Sequence, residues 1–166
     1  MPRNTIGKKS NQDIIVGFDP GLAITGYGVI QGNRVLEYGV LRTPAKQPIG
    51  DRLVLLYSKL TELLGRYTIT RAGCEKLYFA KNVTTALDVG QARGVIILAL
   101  AQHHIPLLEF TPLQVKQGLT GYGLADKHQI QYMVQMVFHL AELPTPDDAA
   151  DALAIALTTQ TYVSLV

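Results

Sequence analysis

The sequence spends one cysteine, Cys74, in 166 residues. A single thiol closes no internal disulfide, and such sparing use suits a reducing compartment, so a cytoplasmic location is expected. Long hydrophobic runs are also missing. No apolar stretch reaches the roughly 18 residues of a membrane-spanning helix, so no membrane role is expected. Charge is scarce: 17% of residues are charged against 48% apolar, the composition of a folded core and not of a disordered chain. The formal charge of +2 is too small to argue for a nucleic-acid partner, so any such case must rest on where the charges sit. His103, His104, His128 and His139 are scattered relative to Cys74, which speaks against a zinc site. There is no internal repeat, low-complexity block or long linker, and the length fits one domain with one core. The polar segment 1–13 carries Arg3, Lys8 and Lys9 without the apolar stretch of a signal peptide. It is read as a flexible basic tail, leaving residues 14–166 as the domain.

What is present begins with strands. Ile14 to Phe18 is short, apolar and β-branched, and Asp19-Pro20-Gly21 ends it in a turn. Gly26 to Gln31 reads as a second strand, Gly32-Asn33 as a hairpin turn, and Arg34 to Leu41 as a third strand. Strands in immediate succession are most easily antiparallel neighbours. From Arg52, Leu53, Leu56, Tyr57, Leu60, Leu63 and Leu64 recur at helical spacing until Gly65. A short strand is expected near Ala72 to Tyr78, a long helix over Val83 to Gln102, and a fifth strand over Pro106 to Phe110. In the long helix Val95 to Leu100 is apolar all round, and Gly90 and Gly94 leave a small-residue groove, so this half is buried or lies in a subunit interface. Gly118, Gly121 and Gly123 suggest a flexible loop. Asp126 to Leu140 reads as a helix, with Ile130, Met133, Val134 and Val137 on one stripe. Thr145 caps a last helix with Pro146 at its first position. The order gives an α/β chain: a mixed five-stranded sheet flanked by helices, which resembles the RNase H-like fold.

Four acids stand out. Asp19 closes a buried strand, where charge rarely sits without a partner or a task, although Asp before Pro-Gly is also an ordinary turn starter. Glu75 lies in a short strand and reads equally as an edge residue facing solvent. Asp148 and Asp151 share a helix face, and Asp148 could complete a capping box with Thr145. Asp151 lies among Ala149, Ala150, Ala152, Leu153, Ala154 and Ile155, so the first turns press like charges towards the core. A cation is the usual remedy for such repulsion. Two divalent ions held by such acids could activate a water and stabilise the leaving oxygen of a phosphodiester. Magnesium prefers oxygen ligands and needs few carboxylates. Lys76 and Lys81 flank Tyr78 and Phe79, an interleaving that suits a phosphate backbone and an unstacked base, or else places at least one ring in the core.

The motifs then resemble one family. Gly17-Phe18-Asp19-Pro20-Gly21 with Thr25-Gly26-Tyr27-Gly28-Val29-Ile30 is similar to the opening of the RuvC Holliday junction resolvases. Glu75, Ala80-Lys81-Asn82 and Gly90-Gln91-Ala92-Arg93-Gly94 resemble the family's middle signature. Gln114-Val115-Lys116-Gln117, Gly121-Tyr122-Gly123 and Ala125-Asp126-Lys127 resemble its basic-loop region, and Asp148 through Ala156 its C-terminal acidic motif. The resemblance implies an RNase H-like homodimer that resolves four-way junction DNA in recombination and repair by nicking two strands of like polarity. It implies Asp19, Glu75, Asp148 and Asp151 as catalytic and metal-holding residues. The cofactor would be Mg2+, two ions per site, with Mn2+ as a substitute. It further implies DNA contacts from Tyr78, where the family usually has Phe, and from Lys81, Lys116 and Lys127. It suggests work beside the branch-migration proteins RuvA and RuvB.

Two other readings compete. Asp-x-Gly after a strand also opens actin-like sugar kinases and ATPases, but these bind ATP between two such domains and need about twice this length. A DNA-binding module that keeps the fold without catalysis would gain nothing from clustered negative charge.

Overall fold

The computed structural model describes residues 13–76, 83–121 and 123–163. Its sheet holds β1 (Ile14–Asp19), β2 (Ile24–Gln31), β3 (Arg34–Arg42), β4 (Ile69–Glu75) and β5 (Leu107–Phe110) in the order β3-β2-β1-β4-β5. The first three strands pair antiparallel, and Gly32 takes the left-handed φ of 59° that the tight β2–β3 turn requires. The β1–β4 and β4–β5 pairs are parallel. Parallel neighbours need crossovers, and α1 (Ile49–Gly65) and α2 (Val83–Gln102) supply them. The mixed, helix-flanked sheet agrees with the α/β expectation.

Alternation along the strands divides the interior in two. Val16, Phe18, Val29, Ala72 and Cys74 face α1 and α2, packing on Leu56, Leu60, Leu63, Ile96 and Leu100. Ile15, Ile30 and Phe110 face the other way, onto α3 (Pro112–Thr120), α4 (Lys127–Phe138) and α5 (Asp147–Val163). Each fully buried Leu, Ile or Phe of these layers contributes about 1.5–3 kcal/mol relative to exposure. Residue parity thus decides the site: Asp19 and Glu75 share the α5 side with Ile15, Gly17 and Gly73.

α5 lies on the sheet at very close range because small residues meet there. A Cβ on Gly17 would overlap the Ala152 carbonyl oxygen and stand 2.5 Å from the Ala156 nitrogen. One on Gly26 would overlap the Asp148 carbonyl, and one on Gly73 the Thr159 hydroxyl. Ala149, Ala152 and Ala156 complete the contact, fully buried.

Several boundaries differ from the sequence reading. β2 begins at Ile24 and α1 at Ile49. β4 occupies Ile69–Glu75 and not Ala72 to Tyr78, because Ile69 and Arg71 pair with β1 on either side of a register shift at Thr70, and Lys76 already leaves the strand. The glycine-rich region is partly helical: α3 runs over Pro112–Thr120 behind a Thr111/Gln114 capping box. Within it Gly118 abuts Thr158, and Gly121, at φ 77°, is the left-handed C-cap. Of the expected loop glycines only Gly118 lies inside a helix; Gly121 and Gly123 belong to the connection between α3 and α4. α4 is shorter than expected, with Asp126 as its N-cap. α5 begins at Asp147, after Pro146, whose carbonyl accepts hydrogen bonds from the amides of Ala149 and Ala150.

The apolar second half of α2 serves two faces. Ala92, Ile96, Ala99 and Leu100 fill the core, whereas Leu87, Leu98 and Gly94 point outward. No described helix is long and apolar enough to cross a membrane. Of the segment 1–13 only Asp13 belongs to the described residues, with its carboxylate 3.8 Å from the Arg71 guanidinium.

Candidate active site

Two strand ends and one helix start meet at the same edge of the fold. Phe18 pairs with Cys74 across parallel strands, so Asp19 and Glu75 stand one residue further along each strand, side by side at about the 4.8 Å strand spacing. Asp19 also pairs with Gly26, and Gly26 is the residue pressed against the Asp148 carbonyl. That contact brings the first turn of α5 over the end of β1. Asp148 and Asp151 lie three apart on this helix and share the face nearest the strands.

The electrostatics record the convergence. The Asp19 carboxyl is pushed up from 3.8 to about 8, first by burial, then by the charges of Asp151, Glu75 and Asp148, with Lys127 opposing. Glu75 is raised by burial and by Asp151. Asp151 is raised chiefly by burial, and Lys127 pulls against that rise. An acid held at about 8 is largely protonated at neutral pH, so a cation placed among these oxygens would have to restore its charge.

A cleft of about 210 Å³ opens beside this edge. Glu75, Asp151, Lys116 and Lys127 line it together with Val115 and Ile130. Lys116 comes from α3, a capped helix that gives this lysine a rigid mount. Lys127 is the first residue of α4, and its Nζ lies 3.0 Å from Asp147 Oδ2 and 3.6 Å from Asp151 Oδ2. It is thus engaged with the acids and is no mere solvated lysine.

Of the residues expected from the sequence, Asp19, Glu75, Asp148, Asp151, Lys116 and Lys127 come together here. Tyr78 and Lys81 lie outside the described residues. The sequence reading missed Asp147 and Gln131 as site residues: Gln131 Nε2 donates to Asp147 Oδ1 at 2.7 Å. Arg93 Nε donates to Glu109 Oε1 at 2.9 Å, but Glu109 pairs with Cys74, so this contact lies on the α2 face of the sheet and not with the acids. Helical spacing could have flagged the first pair, since 127/131 and 147/151 are each four apart. Which helix packs on which was not legible.

Among the described residues no three acidic, histidine or cysteine side chains close around a single ion-sized point. Magnesium does not require that, because it keeps several waters and takes one or two carboxylates. The donor set is all oxygen, anionic and half-buried, which fits a hard divalent cation and suits neither a soft nor a redox metal.

Comparison with known proteins agrees with this geometry. The model of the family described as crossover junction endodeoxyribonuclease RuvC matches residues 15–159. A crossover junction endodeoxyribonuclease RuvC of Thermomicrobium roseum is 50% identical over 146 residues, covering 86% of this chain and 90% of that protein. Its counterpart in Desulfitobacterium hafniense is 49% identical over 157 residues, covering 92% and 95%. The solved structure of T. thermophilus RuvC in complex with a Holliday junction substrate superposes with a TM-score of 0.88 at 33% identity, covering 93% of this chain and 96% of that one. With its RNase H-like sheet and this degree of likeness across nearly its whole length, the chain belongs to the RuvC family of crossover junction endodeoxyribonucleases.

Proposed function

We propose that this chain resolves Holliday junctions in recombination and repair by nicking two strands of like polarity symmetrically, with Asp19, Glu75, Asp148 and Asp151 as the catalytic, metal-holding set. The observation that carries this reading is the meeting of all four acids at one sheet edge beside a lysine-walled cleft. The cofactor is magnesium, two ions per site, with manganese able to replace it; bound there, it would activate the attacking water and stabilise the leaving oxygen. The chain's own part is to hold those carboxylates fixed. Asp19 and Glu75 are fixed by strand pairing and Asp148 and Asp151 by glycine-mediated docking of α5. Lys116 and Lys127 line the same cleft as Glu75 and Asp151, where they would receive the phosphate and offset its charge. That T. thermophilus RuvC was solved with a junction supports the same substrate here.

The fuller assembly is a homodimer, because a symmetric junction asks for two sites related by a two-fold axis. The outward face of α2, with Leu87 and Leu98 exposed around Gly94, is the proposed contact. A monomer in sedimentation at micromolar concentration, alone and with DNA, contradicts it. The place of action is the cytoplasm, beside RuvA and RuvB.

Lysines and Tyr78 divide the work on DNA. Lys81, Lys116 and Lys127 contact phosphate and read no sequence. Tyr78 stacks on a base unpaired near the crossover, a contact worth about 1–3 kcal/mol that an intact duplex does not offer. Lys116→Ala is therefore expected to lower the salt slope of junction binding by about one unit and to leave the cut position alone. Tyr78→Ala is expected to lower cleavage far more than binding, with Tyr78→Phe tolerated. A salt slope unchanged by Lys116→Ala, or cleavage unchanged by Tyr78→Ala, removes that residue from the set.

The test of the function is incubation with a synthetic mobile four-way junction, with and without magnesium. Metal-dependent paired nicks are expected; a junction left intact in both conditions overturns the proposal.

A further inference from the structure

α4 and α5 cross so that a pair of residues on each helix meets at the rim of the site. Lys127 and Gln131 are four apart on α4, and Asp147 and Asp151 four apart on α5, so each pair occupies one helix face. Between them runs a chain of contacts. Gln131 Nε2 donates to Asp147 Oδ1 at 2.7 Å, Lys127 Nζ donates to Asp147 Oδ2 at 3.0 Å, and the same ammonium stands 3.6 Å from Asp151 Oδ2. Both oxygens of Asp147 are thereby occupied, and its orientation is set from α4.

Asp147 is not among the four acids proposed to hold metal, and its location fits another task. The Lys127 ammonium is nearer to Asp147 than to Asp151, so Asp147 draws it away from an acid that a divalent ion would need. Without that draw, the flexible four-carbon stem would let the ammonium settle on Asp151 and occupy a ligand position. We infer that Asp147, braced by Gln131, is a positioning residue that takes the closer hold on Lys127 and limits its pairing with Asp151, so that a metal ion can displace the ammonium from Asp151 while Lys127 stays poised over the cleft. The inference rests on the reading of the site as metal-holding.

A plainer role for Asp147 competes: an acid in the first turn of α5 favours the helix dipole, and any negative charge near the site attracts cations. The two roles separate in a double-mutant cycle read by metal binding alone. Manganese binding to the full chain is measured by calorimetry without DNA, for the wild type, Asp147→Asn, Lys127→Met and the double variant. Tethering predicts that Asp147→Asn weakens manganese binding about fivefold, and that in the Lys127→Met background the same change costs less than about twofold, because the competing ammonium is gone. Lys127→Met alone should bind manganese more tightly than the wild type. In junction cleavage at subsaturating manganese, Asp147→Asn should lower the rate about fivefold, the loss should shrink as manganese is raised to saturation, and Asp147→Glu should recover part of it. Equal weakening in both backgrounds, as a bare charge effect gives, overturns the proposal, and so does no weakening in either. A wild type that binds no manganese overturns the metal-holding reading itself, a failure visible before any variant is compared. Asp147 is exposed, so all variants should melt near the wild-type temperature.

Discussion

Asp19→Asn is expected to reduce junction cleavage by about a thousandfold or more, the loss that follows from removing several kcal/mol of metal-derived stabilisation. Junction binding should survive, since the lysines proposed to meet phosphate are untouched. The same substitution should stabilise the metal-free protein at alkaline pH. Burial and three neighbouring carboxylates lift Asp19 from 3.8 to about 8 in the folded state. Between those values the folded chain keeps a proton that the unfolded chain has released, so stability falls as pH rises through the window. Below it both states are protonated and the contribution is fully present; above it both are ionised and it is lost. The melting temperature of the metal-free wild type should therefore drop from pH 5 to pH 8. That of Asp19→Asn should change less, ending on the order of 5 °C higher at pH 8. A variant that nicks junctions at the wild-type rate removes Asp19 from the catalytic set. One that melts with the wild-type pH dependence shows that the carboxylate does not carry the electrostatic load assigned to it.

Gly17→Val is expected to be the most damaging single change outside the acids. Its side chain would run into the backbone of α5 at Ala152 and Ala156, and a backbone cannot swing aside as a lysine tip would. Overpacking of this kind costs about 3 kcal/mol or more, equivalent to a fall of roughly 6–12 °C in melting temperature for a chain of this size. If α5 lifts instead of the fold failing, Asp148 and Asp151 move away from Asp19 and Glu75, and cleavage falls in protein that remains folded. Gly26→Ala, aimed at the Asp148 carbonyl, isolates that second effect. Wild-type melting and wild-type cleavage in both variants would mean that close docking of α5 does not hold the site together.

Much of this arrangement is legible in the chain. Ile14 to Phe18 reads as a buried strand because nothing but branched, apolar and small residues stands there. The Gly32-Asn33 turn reads correctly because only left-handed backbone closes so short a hairpin. The bounds expected for the long helix, Val83 to Gln102, are those observed. The acids at strand ends and at a helix start follow from these elements. The failures have local causes. The Thr111-Pro112-x-Gln114 start signal is present in the sequence, but Gly118 within the helix and Gly121 and Gly123 after it obscure it, so α3 is absent from the expected elements. Gly118 serves instead to admit Thr158, a long-range contact that no local pattern announces. β4 is expected too late because Glu75 reads as mid-strand, whereas pairing of Ile69 and Arg71 with β1 starts the strand earlier. The Lys127–Asp147–Gln131 contacts depend on how α4 crosses α5, and crossing angles are a property of packed surfaces, not of either helix alone.

These carboxylates are proposed to hold a metal ion against the phosphate that is cut. Replacing one non-bridging oxygen of that phosphate by sulfur tests this directly, because magnesium binds sulfur poorly and manganese binds it better. Cleavage of the sulfur-substituted junction should fall about a hundredfold in magnesium, relative to the ordinary junction, and be largely restored by manganese. An equal rate loss in both metals, or no loss in either, would contradict it.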